Sequence, residues 1–269
     1  MPTRPPKYRP VGEITRGKTA RNRLRRVDNF LLMYAGDLIR RQDGPFKQAL
    51  YVDLGYGAEA FTTLESAQRF RMQNPSLGVL GVEIEPERVE AALPYADKNT
   101  FFRLGGFNVP LLPGETVRLI RAFNVLRQYK EDEVAEAHRL MGSYILPEGL
   151  LMEGTSDPLG RVWTANLLRR RSDDLEMEGV VFSTNFRLGF EPGLFQPVLT
   201  KNFIHRMLPG EKIYQFFEDW KEAARQTVAY KSLGSRQWFV ASARGLKNAG
   251  YSVDVRLKYL QRGYLFWKW

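Results

Sequence analysis

The chain has 269 residues, 43% of them hydrophobic, and its 17 Phe, 12 Tyr and 5 Trp are enough to fill a core, which excludes disorder for most of its length. It has no cysteine and two histidines, His138 and His205, so a disulfide scaffold, a thiolate nucleophile and a Cys- or multi-His-ligated metal are excluded; an oxygen-ligated cation is left open, and no metal site is expected. Of the formal net charge of +10, residues 1–26 carry +8, with Arg4, Lys7, Arg9, Arg16, Lys18, Arg21, Arg23, Arg25 and Arg26 set against Glu13 alone.

A basic arm therefore precedes a nearly neutral domain. No apolar run approaches the ~18 residues of a membrane span, and no signal-peptide stretch opens the chain, so a cytoplasmic protein without membrane contact is expected. The arm is Pro-rich at Pro2, Pro5, Pro6 and Pro10 and should be extended. Leu24, Val27, Leu31, Tyr34 and Leu38 then repeat at helical spacing, predicting an amphipathic helix from about Asn22 to Gln42, closed by the turn Asp43-Gly44-Pro45.

An alternation follows. Strands are predicted over 49–54, 78–84, 100–104, 116–124 and 149–154, with helices over 58–73, 87–95 and 131–146 between them. This rhythm implies a mostly parallel sheet with right-handed crossovers. After Thr155 it breaks into a predicted hairpin (162–170 and 179–186) and two helical stretches, around 201–207 and 211–229. It resumes with a helix over 235–249 and strands over 251–258 and 264–269. The chain thus reads as an arm and helix (1–45), a cofactor-binding core (46–155), an inserted α+β lid subdomain (156–233) and a C-terminal return to the core (234–269).

Ligands of such sheets bind beyond the carboxyl ends of the strands, at the switch point. The first strand runs into Asp53-Leu54-Gly55-Tyr56-Gly57, where two glycines let backbone approach a ligand at the start of a helix. The second strand ends on Glu83, an acid placed to accept hydrogen bonds from ribose hydroxyls.

Together, Tyr51-Val52-Asp53-Leu54-Gly55-Tyr56-Gly57 and Gly81-Val82-Glu83-Ile84-Glu85-Pro86-Glu87-Arg88-Val89 resemble the first two motifs of class I S-adenosylmethionine-dependent methyltransferases. The C-terminal helix followed by an antiparallel strand pair is similar to the same family, so the likeness covers about 45–155 and 234–269. Four further strings, 15–19, 22–26, 121–129 and 153–157, resemble a bacterial subgroup without an assigned substrate. The resemblance implies a Rossmann-like sheet, S-adenosyl-L-methionine as cofactor, and roles for Asp53 (amino group, directly or through the loop), Gly55, Tyr56 and Gly57 (the methionyl turn), Glu83 (ribose) and Ile84 (adenine). Where many members carry an acid after the third strand, this chain has Gly105-Gly106-Phe107-Asn108, so backbone there, or Asn108, would have to serve the adenine. A third glycine is also missing from the turn, replaced by Ala58-Glu59.

On the acceptor side, Asn124 ends the fourth strand and is assigned to cofactor or acceptor hydrogen bonding, or else to capping. Glu153 and Asp157 flank the end of the fifth strand as candidate bases, and His205 is a further one. Arg127 could hold an acidic acceptor or pair with Glu131 or Asp132, and Arg21 and Arg23 could meet the cofactor carboxylate or RNA phosphates. The fourth strand lacks the Pro-Pro-aromatic motif of nucleic-acid amine methyltransferases, and DNA is not expected. The reading is methyl transfer to a small or medium molecule, ahead of RNA. Its competitors are an NAD-dependent oxidoreductase, disfavoured because the turn lacks Gly-x-Gly-x-x-Gly, and a catalytically silent cofactor-binding module.

Overall fold

The computed structural model describes residues 9–15, 19–172 and 174–269. Arg4, Lys7, Arg16 and Lys18 of the basic arm, and Asp173 of the hairpin turn, lie outside the described residues. In chain order the elements are α1 (Arg25–Tyr34), α2 (Gly36–Arg40), β1 (Leu50–Leu54), α3 (Phe61–Arg71), β2 (Val79–Glu83), α4 (Pro86–Ala92), β3 (Thr100–Leu104), β4 (Val117–Phe123), α5 (Glu131–Ser143) and β5 (Ile145–Ser156). Then come β6 (Val162–Arg171), β7 (Asp174–Thr184), α6 (Lys201–Ile204), α7 (Lys212–Gln226), α8 (Ser235–Asn248), β8 (Val253–Asp254), α9 (Leu257–Leu260) and β9 (Tyr264–Lys268).

All nine strands join one sheet in the order β3-β2-β1-β4-β5-β6-β7-β9-β8. The first five are parallel, with Asp53 level with Gly81 on one side and Arg121 on the other. This parallel half is the Rossmann-like sheet that the sequence implied, with chain order reversing between β1 and β4, but β6, β7, β9 and β8 extend it with antiparallel pairings, so the whole is a mixed sheet and not a mostly parallel one. It ends on the expected antiparallel pair β8–β9, although β8 is two residues long and a helical turn, α9, fills the connection.

The sheet is covered on both faces. On one, α1, α2 and α3 bury Val27, Phe30, Leu31 and Phe70 against Tyr51, Leu119, Trp163 and Tyr264. On the other, α5 closes over Val52, Ile120 and Leu151, and α7 and α8 pack Phe216, Trp220 and Phe239 against Phe182, Leu265 and Trp267. Such coverage explains why the strands read as continuous apolar runs.

Two expectations change. The helix predicted over 22–42 is broken at Ala35 into α1 and α2, where Gly36, a poor helix former, follows. Residues 156–233 do not stand apart as a lid. Their hairpin, β6–β7, is laid into the sheet between β5 and β9, with Ser156 paired to Trp163 and Val181 to Phe266. The cause is legible in the strands. Trp163, Ala165 and Leu167 are buried on one face and Val162, Thr164 and Asn166 on the other, so neither face was ever fit for water. The aromatic group Phe216, Phe217 and Trp220 is core, packed against that hairpin. Among the described residues no helix is long and apolar enough to cross a membrane.

Candidate cofactor cleft

Gly55 and Gly57 both take positive φ, +73° and +88°, as the turn leaving β1 requires. Neither tolerates a side chain for a second reason. A Cβ on Gly55 would stand 2.7 Å from Val125 Cγ2, and one on Gly57 2.7 Å from Thr19 Oγ1. Glu83, 1% exposed, ends β2 opposite this turn. Its Oε2 accepts the amide of Gly57 at 2.9 Å and its Oε1 the amide of Ile84 at 2.9 Å. Arg88 lies 3.7 Å from the same carboxylate. Around them run two adjoining cavities of about 40 and 20 Å³, which share Thr15 and Gly55. The first is walled by Arg23, Asp53, Tyr56, Gly57 and Asn124, the second by Glu83, Ile84, Gly106, Phe107 and Tyr129.

Asp53 sits at the floor of the first cavity but is spoken for. Thr62 and Thr63 donate to its Oδ2 at 2.7 and 2.9 Å, and Arg121 lies 2.9 Å from Oδ1. Arg121 reaches Asp28 in turn, which Arg69 pairs at 2.7 Å. Burial alone would weaken the Arg121 charge, but Asp53 and Asp28 hold its pKa above the ordinary value. This buried ion chain fixes α1 and α3 to the first βα turn, so Arg121 is structural and Asp53 is engaged within the protein. Nothing in the local sequence around Asp28 or Arg69 signals it.

The arm roofs the cleft. The Val11 carbonyl accepts from Phe107 N–H at 2.8 Å, and a Cβ on Gly106 would overlap that carbonyl. Asn108 grips the arm on both sides, accepting from Val11 N–H at 2.7 Å and donating to the Arg9 carbonyl at 2.9 Å. Glu13 N–H meets the Tyr129 hydroxyl, Arg88 donates to the Thr15 carbonyl at 3.2 Å, and Thr19 donates to the Tyr56 carbonyl at 3.2 Å. Gly106 and Asn108 thus serve the arm's passage over the third strand's end.

Of the remaining candidates, Asn124, Arg23 and Asp157 meet around Ser156, and the others lie elsewhere. Asn124, at φ +61°, donates from Nδ2 to Ser156 Oγ at 3.2 Å and accepts Ser156 N–H at 2.9 Å, tying the ends of β4 and β5 at the cleft wall. Arg23 joins the same knot, donating to Ser156 Oγ at 3.0 Å and to the Asp157 carbonyl at 3.1 Å. Burial pulls its pKa below the ordinary value, Asp157 opposes, and Arg127 adds repulsion. Asp157 is consumed by its own turn, pairing with Arg161 at 2.9 Å. Glu153 points away from the cleft toward α5, where Asn166 donates to it at 2.8 Å and His138 Nε2 lies 3.6 Å away. A strand alternates faces, and Glu153 shares the face of Leu151.

His205 is exposed at the end of α6, and Arg127 is exposed while Glu131 pairs with Arg206 instead. Arg21 lies over the Phe61 ring at 3.9 Å, outside both cavities. Among the described residues no group of three His, Asp or Glu side chains is placed to hold a metal ion.

No family model matches the chain, and no curated protein does. Among solved structures it is similar to magnesium protoporphyrin IX methyltransferase from Synechocystis PCC 6803 with bound SAH, at 18% identity and a TM-score of 0.36 over 49% of this chain and 54% of that one. It is similar to the PH0226 protein from Pyrococcus horikoshii at 15% identity and a TM-score of 0.37 (54% and 69%). It also matches a putative protein-L-isoaspartate O-methyltransferase from Plasmodium falciparum in complex with S-adenosyl-L-homocysteine, at 12% identity and a TM-score of 0.35 (56% and 67%). The chain spans 27% of LepI in complex with SAM and about half of the magnesium protoporphyrin enzyme. With likenesses this partial, the chemistry has to be read from the chain's own residues.

Proposed function

We propose that the chain is an S-adenosylmethionine-dependent methyltransferase. The observation that carries this reading is the pairing of the Gly55–Gly57 turn with the buried Glu83 carboxylate across one cleft, at the point where strand order reverses. The fit is chemical as well as topological. Each Glu83 oxygen accepts one amide and retains a lone pair for the two hydroxyls of a ribose. Ile84 and Phe107 present apolar surfaces that would take a flat base once the arm at Gly12 draws back from the 20 Å³ cavity they wall, and Arg23, in the first cavity, offers a cation to a carboxylate. A pyrophosphate, by contrast, would want a third glycine where Ala60 stands.

The bound cofactor would supply an electrophilic methyl on a sulfonium, open to in-line attack by an acceptor lone pair, with S-adenosylhomocysteine as the leaving group. The chain's own work is then positioning and exclusion of water. Glu83 and the turn fix one end, Arg23 and the Ser156–Asn124 knot fix the wall toward β5, and residues 9–15 close the roof. Among the described residues no side chain of the cleft is placed as a free base, which methyl transfer does not require. The acceptor enters on the β5 side, as a small or medium molecule handled in the cytoplasm.

The test is calorimetric titration of the full chain with S-adenosylhomocysteine, with NAD in parallel and Glu83→Ala as control. Binding of S-adenosylhomocysteine alone, weakened about tenfold or more in the variant, is expected. Binding of NAD alone, or of neither, would overturn the reading.

A further inference from the structure

β7 runs parallel to β5 and β9 antiparallel to it, so β7 ends and β9 begins at the same end of the sheet as the cofactor cleft. A groove of about 430 Å³ opens there, lined by Arg26, Asn29, Asn185, Arg236, Gln261 and Arg262. Three guanidinium groups from α1, α8 and the turn before β9 thus face one space, and no carboxylate is among the described residues lining it. Unlike Arg41, Arg69, Arg88, Arg103, Arg121, Arg161, Arg169, Arg171 and Arg206, which have acidic partners, none of the three meets a carboxylate in this groove.

The arrangement is built. Arg26 donates from Nη2 to Ser183 Oγ at 2.9 Å and to the Arg262 carbonyl at 2.5 Å, and its buried Nε has no hydrogen-bond partner among the described residues. Its guanidinium lies 4.7 Å from the Tyr264 ring centroid, and that of Arg236 lies 5.6 Å from the Phe186 centroid. Aromatic faces hold a guanidinium by its plane and leave its N–H edges free to donate. Arg236 also stands in the first turn of α8, where the helix dipole adds positive potential. Burial lowers the Arg26 pKa, Tyr264 opposes, and Arg236 repels it further, a cost that an anion in the groove would relieve.

We propose that this groove binds a phosphate group, and that the phosphate belongs to the methyl acceptor. Only the second half rests on the methyltransferase reading. Forked donors, one sign of charge and neutral amides at the rim suit a phosphate oxygen set better than a carboxylate on its own. The phosphate could be carried by a small phosphorylated molecule or by an RNA backbone, and both sources share this recognition.

The experiment titrates the full chain with uridine 5′-monophosphate and with a short oligouridylate, each at low and at physiological salt. It uses the wild type, the double variant Arg236→Gln/Arg262→Gln, which alters two exposed side chains, and Arg139→Gln/Arg225→Gln, exposed on α5 and α7, as a charge-matched control. At least one probe should bind, the double variant should weaken it by about tenfold or more, and the control should not. Preference for the mononucleotide identifies a small acceptor; tighter oligonucleotide binding with a steep salt slope identifies a backbone. Failure of both probes to bind the wild type, or equal binding by the double variant, would overturn the phosphate site. S-adenosylhomocysteine titrated into the same samples judges the cofactor reading separately, and its affinity should be the same in wild type and double variant.

Discussion

The Val11 carbonyl occupies the space that a side chain on Gly106 would need, while the neighbouring Phe107 amide donates to it. The arm's route over the cleft therefore depends on a missing methyl group. Gly106→Ala should lift residues 9–15 from the third strand's end, because the overlap is with backbone, which has no rotamer to escape into. Protease cleavage within the arm should quicken severalfold and S-adenosylhomocysteine should dissociate faster, with the core's melting temperature changed little. An arm as protected as the wild type's would sink this account of the roof.

Glu83 has two tasks that one substitution separates. Glu83→Gln can still accept the Gly57 amide through its one oxygen while its NH2 faces the Ile84 amide, so the turn should hold at a cost of about 1–3 kcal/mol in stability. Affinity for S-adenosylhomocysteine should fall by about 1–3 kcal/mol, since the charge that strengthens a hydroxyl hydrogen bond is gone. If the melting temperature collapses with the affinity, the carboxylate holds the turn rather than a ligand.

Arg121 neutralises Asp53 and Asp28 out of contact with water. Arg121→Met should cost about 3–5 kcal/mol in chemical denaturation, because the buried Asp53 loses its only cation and keeps hydroxyl donors alone, and Asp28 is left with Arg69 as its one cation. Adding Asp28→Asn to that variant should recover part of the loss. A single-variant cost below about 1 kcal/mol would show that water reaches the chain of charges.

Glu115 gives the pH test. The Arg103 guanidinium, 2.7 Å away at Nη2, holds its carboxyl below the usual range against partial burial, and the Leu112 amide assists. A folded-state pKa below the unfolded one stabilises the protein above the unfolded value, and that contribution disappears as pH falls through the folded value. Glu115→Gln should therefore destabilise at neutral pH, with the gap to wild type closing in acid. A gap that persists below pH ~2 would mean that the substitution acts through packing.

What the sequence made legible was what is local and periodic. The glycine turn, Glu83 at the second strand's end and the five parallel strands each follow from residues within one element or its neighbour. The arm's basic charge is plain in its sequence but its path is not, since Arg23 meets Ser156 across 133 residues and Asn108 meets Arg9 across 99. Glu153 shows a different gap. Its position near the strand's end suggested the acceptor side, yet counting in twos from Leu151 sends it to the α5 face, beside a histidine that the sequence had placed in a core helix. The hairpin was found as a hairpin, but only its burial on both faces makes it part of the sheet, and a run of alternating residues looks similar at an edge and in the middle.

Leu24, just ahead of α1, lines the cofactor cleft, and Arg26 and Asn29 on α1 line the arginine groove, so one short helix is a wall of both. A rigid shared wall cannot be displaced at one end without being felt at the other. Whatever free energy an occupant of the groove lends to, or takes from, an occupant of the cleft must be returned in equal measure. The order in which two ligands arrive would then change the route to the ternary complex and leave its total stability untouched.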